Sequence, residues 1–411
     1  MNALGVRLSA PLGLRLNART GVTAVFFVDG ALFATWASRI PALSNRVGAT
    51  TGVLGLALLA PAVGALIAMP LVGRRLPRRS SRGFCQVALA GLMVAIVLPA
   101  LARSVPALVG ALFVVGLTNS TLDLAMNAQG VSVERHLGRP ILSSLHAAFS
   151  FGGFAGAGLG ALAAALRVAP LPHFLVAMAL FGIPGLIATR LLLPQDEDAD
   201  AHAPAMRWRS LPSRLVLLGI ACLFCLMAEG GASDWSAKLV HDDLAGSAAL
   251  GAIAYAVFSV AMGTGRLLAD RLWTRWGSVG LLRRSGALAA VGFAAGLAAG
   301  TAPAAIAGFA ALGFGLAGVV PTLFRAGADQ PGVSTGPALS AVTSLGYLGF
   351  LGGPPLIGGV AQLTSLRLAA VIMVFAGLLV TVLAGAAAIP AEADAVPDCA
   401  AGSLATSAAI R

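Results

Sequence analysis

Twelve apolar runs of about 20 residues follow one another along this chain and leave little sequence for anything else. They fall at roughly 20–40, 51–73, 83–102, 105–128, 140–165, 172–193, 215–237, 246–269, 281–300, 303–324, 336–361 and 366–389. A run of that length crosses a hydrocarbon core as a helix, the form in which a segment satisfies its own backbone polar groups. A soluble alternative is excluded by composition: of 411 residues, 58% are hydrophobic and only 10% charged, too few to cover a surface facing water. Period-two alternation is weak, and Ala, Leu and Gly dominate, which argues against an outer-membrane barrel. The fold class is therefore an all-α membrane protein with twelve transmembrane helices.

Six runs precede and six follow a hydrophilic stretch at 194–214, which holds Pro194, the acids Asp196, Glu197, Asp198 and Asp200, and Pro212. The expected organisation is a first six-helix half over 1–193, a cytoplasmic linker over 194–214, a second half over 215–389 and a disordered tail over 390–411. Short echoes relate the halves. Asp29-Gly30 with Trp36-Ala37-Ser38-Arg39 is matched about 200 residues later by Glu229-Gly230 with Trp235-Ser236-Ala237-Lys238. Arg139-Pro140-Ile141-Leu142-Ser143 is matched by Gly336-Pro337-Ala338-Leu339-Ser340. A duplicated membrane chain with acids inside its spans is a common construction of secondary transporters.

The net charge of +11 would suggest nucleic acid in a soluble protein, but its distribution points to a bilayer. With the N-terminus cytoplasmic, 21 of the 27 Lys and Arg fall on the cytoplasmic side, and only Arg39, Arg46, Arg103, Arg167, Lys238 and Arg367 fall on the other. This bias orients a multi-pass protein of a bacterial-type inner (plasma) membrane with both termini cytoplasmic, its basic loops against anionic headgroups. Cys222-x-x-Cys225 has redox or zinc spacing but lies inside the seventh run without a second pair, so two buried apolar residues are the simpler reading. No cofactor, metal or nucleic-acid partner is expected, and the chain is read as a monomer.

Ionisable groups inside a membrane are functional candidates because insertion penalises them. Asp29 lies in the first span, Asp123 in the fourth, His146 in the fifth and Glu229 in the seventh. Asn119, Asp123 and Asn127 are spaced four apart, one polar stripe down a helix, which serves either a cavity wall or an interhelical hydrogen-bond network. Ser143, His146 and Ser150 share a face of the next helix; the histidine is either a proton relay or a structural hydrogen-bonder. Asp29 and Glu229 occupy matching places and serve either proton coupling or helix packing. Trp36, Arg39, Asp234, Trp235 and Lys238 at the span ends read as interfacial anchors, with gating as the alternative. Gly152, Gly156 and Gly160, like Gly292, Gly296 and Gly300, are spaced for close helix contact. Gly352-Gly353-Pro354-Pro355 should kink or break the eleventh helix.

Gly265-Arg266-Leu267-Leu268-Ala269-Asp270-Arg271-Leu272, taken to join the eighth and ninth spans, resembles the loop signature of the major facilitator superfamily. The six-plus-six duplication and central linker resemble that family as well. The resemblance implies that Asp270 and Arg271, with Arg266, form a gating loop latched to neighbouring helix ends. The corresponding segment of the first half, Gly73 to Arg79, lacks the acid. Within the superfamily, Asp123-Leu124-Ala125-Met126-Asn127 and Ser144-Leu145-His146 through Gly152-Gly153 are similar to the fucose-permease-like branch, including the rhizopine-type (MosC-like) permeases. There an acid four residues before an Asn is tied to sugar binding and proton coupling; Asp123 and Asn127 match, whereas Asp29 sits earlier in its helix than that branch's first-span acid. The antiporter Gly-Pro signature of span five is absent.

The expected function is alternating-access transport of a small polar, sugar-like solute coupled to protons. Asp123 would couple, with Asn127, Asn119, Asp29, His146 and Glu229 in support. An exporter of amphipathic compounds is the alternative, disfavoured by an aromatic content of 6%. An enzyme is disfavoured by scattered histidines, and a sensor by the lack of an output domain.

Overall fold

The computed structural model describes residues 12–75, 80–138, 141–194, 212–330 and 335–388. The proposed linker at 195–211, the tail from 389 onward with Cys399, the basic loop 76–79 and the Arg139-Pro140 echo lie outside the described residues, as do the side chains of 73–75 and of most of 335–340. Among the described residues all regular structure is helical.

We number the membrane helices α1 (Leu12–Ala37), α2 (Thr51–Ala57 with Leu59–Arg75), α3 (Ser81–Ala95 with Leu98–Leu101), α4 (Val105–Leu137), α5 (Leu142–Ala165) and α6 (Pro170–Leu191). The series continues with α7 (Ser213–Asp243), α8 (248–276), α9 (278–299), α10 (Ala302–Leu316 with Val319–Ala328), α11 (Thr335–Leu363) and α12 (Leu366–Ala387). The twelve anticipated spans are all helices. The segment 265–272, anticipated as loop, is instead the final part of α8. No Gly or Pro interrupts 266–276, so the helix runs on until Gly277, whose φ of 65° a side chain would resist, turns the chain into α9.

Helix ends follow local chemistry. Ser104 and Ser247 cap α4 and α8 by accepting the amides of Ala107 and Leu250. Gly138 closes α4 with φ 64°. Glu134 Oε2 accepts the first amides of α5, from Ile141 (2.7 Å) and Leu142 (3.0 Å), placing a carboxylate where the helix dipole favours one.

Large apolar side chains such as Val87, Val94, Val291, Phe375 and Val382 point outward, the reverse of a soluble protein and the requirement of lipid contact. Small residues let backbones meet inside. A Cβ on Gly152 or Gly156 would lie 1.9 or 2.1 Å from the carbonyl oxygen of Phe27 or Ala31, so α1 and α5 touch backbone to backbone. Gly292 and Gly296 bring α9 onto α10, whereas Gly300 caps α9 with φ 67°. The helix α11 continues through Pro354 and Pro355 without the anticipated break.

Helices α1–α6 pack among themselves, as do α7–α12, and α5 with α8 and α2 with α11 join the two groups. At the end of the bundle away from the termini, the Gly52 amide donates to Gln362 Oε1 (2.9 Å) and Gly55 meets Gly358. Trp36 and Trp235 are 2% and 1% exposed there, and Arg39 and Lys238 are also buried. The anchoring expectation for these residues is therefore corrected: they face protein instead of headgroups. A Trp with a nearby cation has one local sequence pattern in both settings, and only the neighbouring helix distinguishes them.

Candidate functional site

Two polar clusters occupy the interior, the first centred on α1 and α4 and the second spanning α7, α8 and α5. In the first, Asp29 on α1 is fully enclosed (1% exposed), and neither carboxylate oxygen has a hydrogen-bond partner among the described residues. It lies close enough to Asp123 on α4 for the two charges to repel. Asp123 is half-buried, and its Oδ1 accepts from Asn127 Nδ2 at 3.0 Å; the same nitrogen donates to the Asp123 carbonyl at 2.8 Å. Asn119, one turn earlier, carries a buried Oδ1 with no hydrogen-bond partner among the described residues. The four-residue spacing thus yields one stripe, of which Asp123 lies near Asp29 of α1. Tyr347 on α11, in the second helix group, is within electrostatic reach of Asp123.

The second cluster centres on Arg266. This side chain, anticipated in a gating loop, sits within α8 and reaches inward. Its Nη2 pairs with Glu229 Oε1 on α7 at 3.1 Å, and its Nη1 donates to Ser150 Oγ (2.8 Å) and the His146 carbonyl (3.2 Å) on α5. One guanidinium thus ties α7, α8 and α5 together, using the forked donor geometry that lysine lacks. Both members of the ion pair are largely withdrawn from water, at 15% and 20% exposure. His146 packs edge-on against Phe26 of α1, ring centres 5.3 Å apart. Tyr255 on α8 lies within reach of both Glu229 and Asp234. Asp234 accepts from Ser233 at 3.3 Å.

At the end nearer the termini, Asp270 accepts from Arg325 Nη2 at the end of α10 (3.3 Å), and the Arg325 guanidinium stacks 4.2 Å from the Trp273 ring. Arg271 is exposed beside this latch. Asp29, Asp123 and Asn127 therefore come together, with Asn119 one turn away on α4. Glu229, Arg266 and the backbone of His146 form a separate group, and Asp270 with Arg271 stands apart from both. Sequence reasoning missed Tyr347, Tyr255 and the Glu229 to Arg266 pairing. The tyrosines carried a usable signal: the chain has only two, and both lie inside apolar runs. Cys85, Cys222 and Cys225 are buried, and among the described residues no three of His, Cys, Asp and Glu gather as a metal site would need.

Comparison with known proteins follows the same lines. Residues 21–336 match the sequence pattern of the Major Facilitator Superfamily. The chain is 36% identical over 365 residues to the uncharacterised transporter y4wD of Sinorhizobium fredii, covering 89% of this chain and 96% of that one. It is 34% identical over 369 residues to an uncharacterised MFS-type transporter of Yersinia pestis, covering 89% and 94%. It is 29% identical over 365 residues to the membrane protein MosC of Rhizobium meliloti, covering 88% of each. Among solved structures, the nucleoside transporter NupG superposes with a TM-score of 0.67 at 13% identity over 91% of this chain and 99% of that one. The human organic anion transporter MFSD10 gives 0.63 at 19% over 90% and 99%.

Proposed function

Because the chain belongs to the major facilitator superfamily, as a multi-pass membrane transporter with MosC-like relatives, we propose that it moves a small polar, sugar-like solute in symport with protons. The observation that carries this reading is the placement of Asp123, hydrogen-bonded to Asn127, against the unpartnered Asp29 in the interior. Two carboxylates in one enclosed site repel when both are ionised, so a proton taken up there lowers the energy of the site. Asp123 carries the coupling proton. Asn127 and Asn119 present amide groups suited to hydroxyl-bearing ligands, and Tyr347 of α11 is within electrostatic reach of Asp123.

The six-helix halves 1–193 and 215–389, joined by the linker, rock about this site. The Glu229 to Arg266 pair and the hydrogen bonds of Arg266 to α5 hold the halves in register. With both termini cytoplasmic in an inner (plasma) membrane, the end joined at Gly52 and Gln362 is the outer one. The functional unit is a monomer. An enzyme reading drops away with the family assignment.

The test is a thermal-shift screen of the detergent-purified protein against sugars, inositols, amino acids and lipophilic cations, on wild type and on Asp123→Asn. A ligand at 100 times its dissociation constant adds about 2.7 kcal/mol of stability, a readily visible shift. A polar hit whose proton-driven accumulation in proteoliposomes is abolished in Asp123→Asn, with exchange of bound solute retained, is the expected result. Unchanged accumulation refutes the assignment of Asp123, and hits confined to lipophilic cations replace symport with export of amphipathic compounds.

A further inference from the structure

The end of the bundle away from the termini carries a third polar cluster that the transport reading does not use. Arg39, just past α1, is 7% exposed. Its Nη2 donates to the Val168 carbonyl at 2.8 Å, but its Nη1 has no hydrogen-bond partner among the described residues. Arg39 lines a cavity of about 200 Å³ together with Ser38, Ala164, Arg167 and Ala248. Arg167 belongs to the α5–α6 turn and adopts φ 56°, in the left-handed region that L side chains rarely occupy. Ala248 is the first residue of α8, whose first turn contains no acid, so the positive end of that helix dipole faces the same space. No carboxylate lines the cavity. His173 lies close enough to Arg39 for electrostatic contact, and both its buried ring nitrogens lack hydrogen-bond partners among the described residues. Burial also pulls the Arg39 guanidinium below its ordinary pKa, the sign of a charge without compensation.

A buried donor left unsatisfied is costly, and a buried cation more so. Here one small space is lined by a buried guanidinium with an unpartnered nitrogen, by a second, exposed arginine and by the first residue of a helix, and what offsets such a charge is negative charge with acceptor oxygens. A planar guanidinium fork matches an oxyanion better than a spherical halide. The volume suits a phosphate or a small carboxylate, since water occupies about 30 Å³ per molecule in the liquid.

We infer that this cavity is a binding site for a small oxyanion, phosphate or carboxylate, which ties the start of α8 to the ends of α1 and α5 and so favours closure of this end. The walls come from both helix groups, so separating α8 from Arg39 and Arg167 would dismantle the site. Binding and closure are therefore linked.

The test is a titration of purified protein with sodium phosphate and with sodium acetate at constant ionic strength, chloride making up the balance. Two readouts are taken: melting temperature, and the crosslinking rate of a Gly52→Cys/Gln362→Cys pair across the closed end. Wild type should show a saturable rise in both. Arg39→Gln should weaken the apparent affinity roughly tenfold to a hundredfold, the range for losing a charged hydrogen bond. Arg167→Gln, at an exposed position, should weaken it roughly threefold and decides the matter if Arg39→Gln does not fold. Asp123→Asn should retain the full response, which separates this site from the transport reading. Nanodiscs of phosphatidylcholine with and without phosphatidylglycerol distinguish sources: a response to phosphatidylglycerol and none to free anions assigns the oxyanion to a lipid headgroup. No saturable response to any of these probes, or an identical response in Arg39→Gln and Arg167→Gln, overturns the inference.

Discussion

Asp29 and Glu229 stand at matching points of two sequence echoes, yet their surroundings are opposite. Asp29 is sealed, has no hydrogen-bond donor among the described residues and faces another acid. Glu229 is partly open and paired with Arg266 at 3.1 Å. Each echo carries an acid, and the neighbouring helices decide what surrounds it. Around Asp29, the neighbouring residues Phe27, Gly30 and Ala31 meet the backbone of α5 at Gly152, Gly153 and Gly156, while the charge in reach is Asp123 of α4. Beside Glu229, α8 offers an arginine. One acid is thereby left facing a like charge without a donor, and the other is paired with a cation.

This contrast can be broken experimentally. The largest effect is expected from Glu229→Ala, which leaves Arg266 without its counter-ion. Removing one member of a largely buried pair costs on the order of 2–3 kcal/mol, discounted here for partial exposure. It should appear as a clear drop in melting temperature in detergent, and a stability equal to wild type would show the pair to be dispensable. Glu229→Gln should cost less, because the amide oxygen still accepts from the guanidinium.

Asp29→Asn is expected to lie within about 1 kcal/mol of wild type, since no donor among the described residues is orphaned when the carboxylate becomes an amide. Its signature should lie in transport: proton-driven accumulation falls while thermal stability holds. A large loss of stability would instead assign Asp29 a packing role and erase the asymmetry between the two acids.

The smallest effect on stability is expected for Asp270→Asn. Its partner Arg325 is 39% exposed and Asp270 itself 62%, and exposed pairs contribute about 0–1 kcal/mol. If that latch works as the family signature implies, the substitution should change the balance between closed and open states with little change in melting temperature. Distance measurements between spin labels on α8 and α10 would detect the change. A shift in stability comparable to that of Glu229→Ala would place Asp270 in a structural class with the interior pair.

The first half's stripe was readable because four-residue spacing on a helix guarantees a shared face: Asn119, Asp123 and Asn127 needed only the helix to be correct. Asp29 joining them was not readable, because nothing in the α1 segment says which face of α4 it meets. Arg266 illustrates the harder case. The motif around it resembles a loop signature, and its positive charge counts toward the cytoplasmic bias, yet its partner is Glu229, in another helix. Trp36 and Trp235 failed for a related reason, since a headgroup and a neighbouring helix both accept an aromatic ring at a span end.

What the sequence by itself determined is therefore what depends on local physics: twelve spans from run length, the polar stripe from periodicity, and the family from motif and order. What only the tertiary structure decided is which polar groups meet. That choice depends on helices far apart in the chain coming into contact, and electrostatic energies at a few ångströms depend on the partner's identity and distance. The Asp29 to Asp123 repulsion, the Glu229 to Arg266 pair and the cationic cavity at Arg39 all arise at that level, and none has a signature within a single helix.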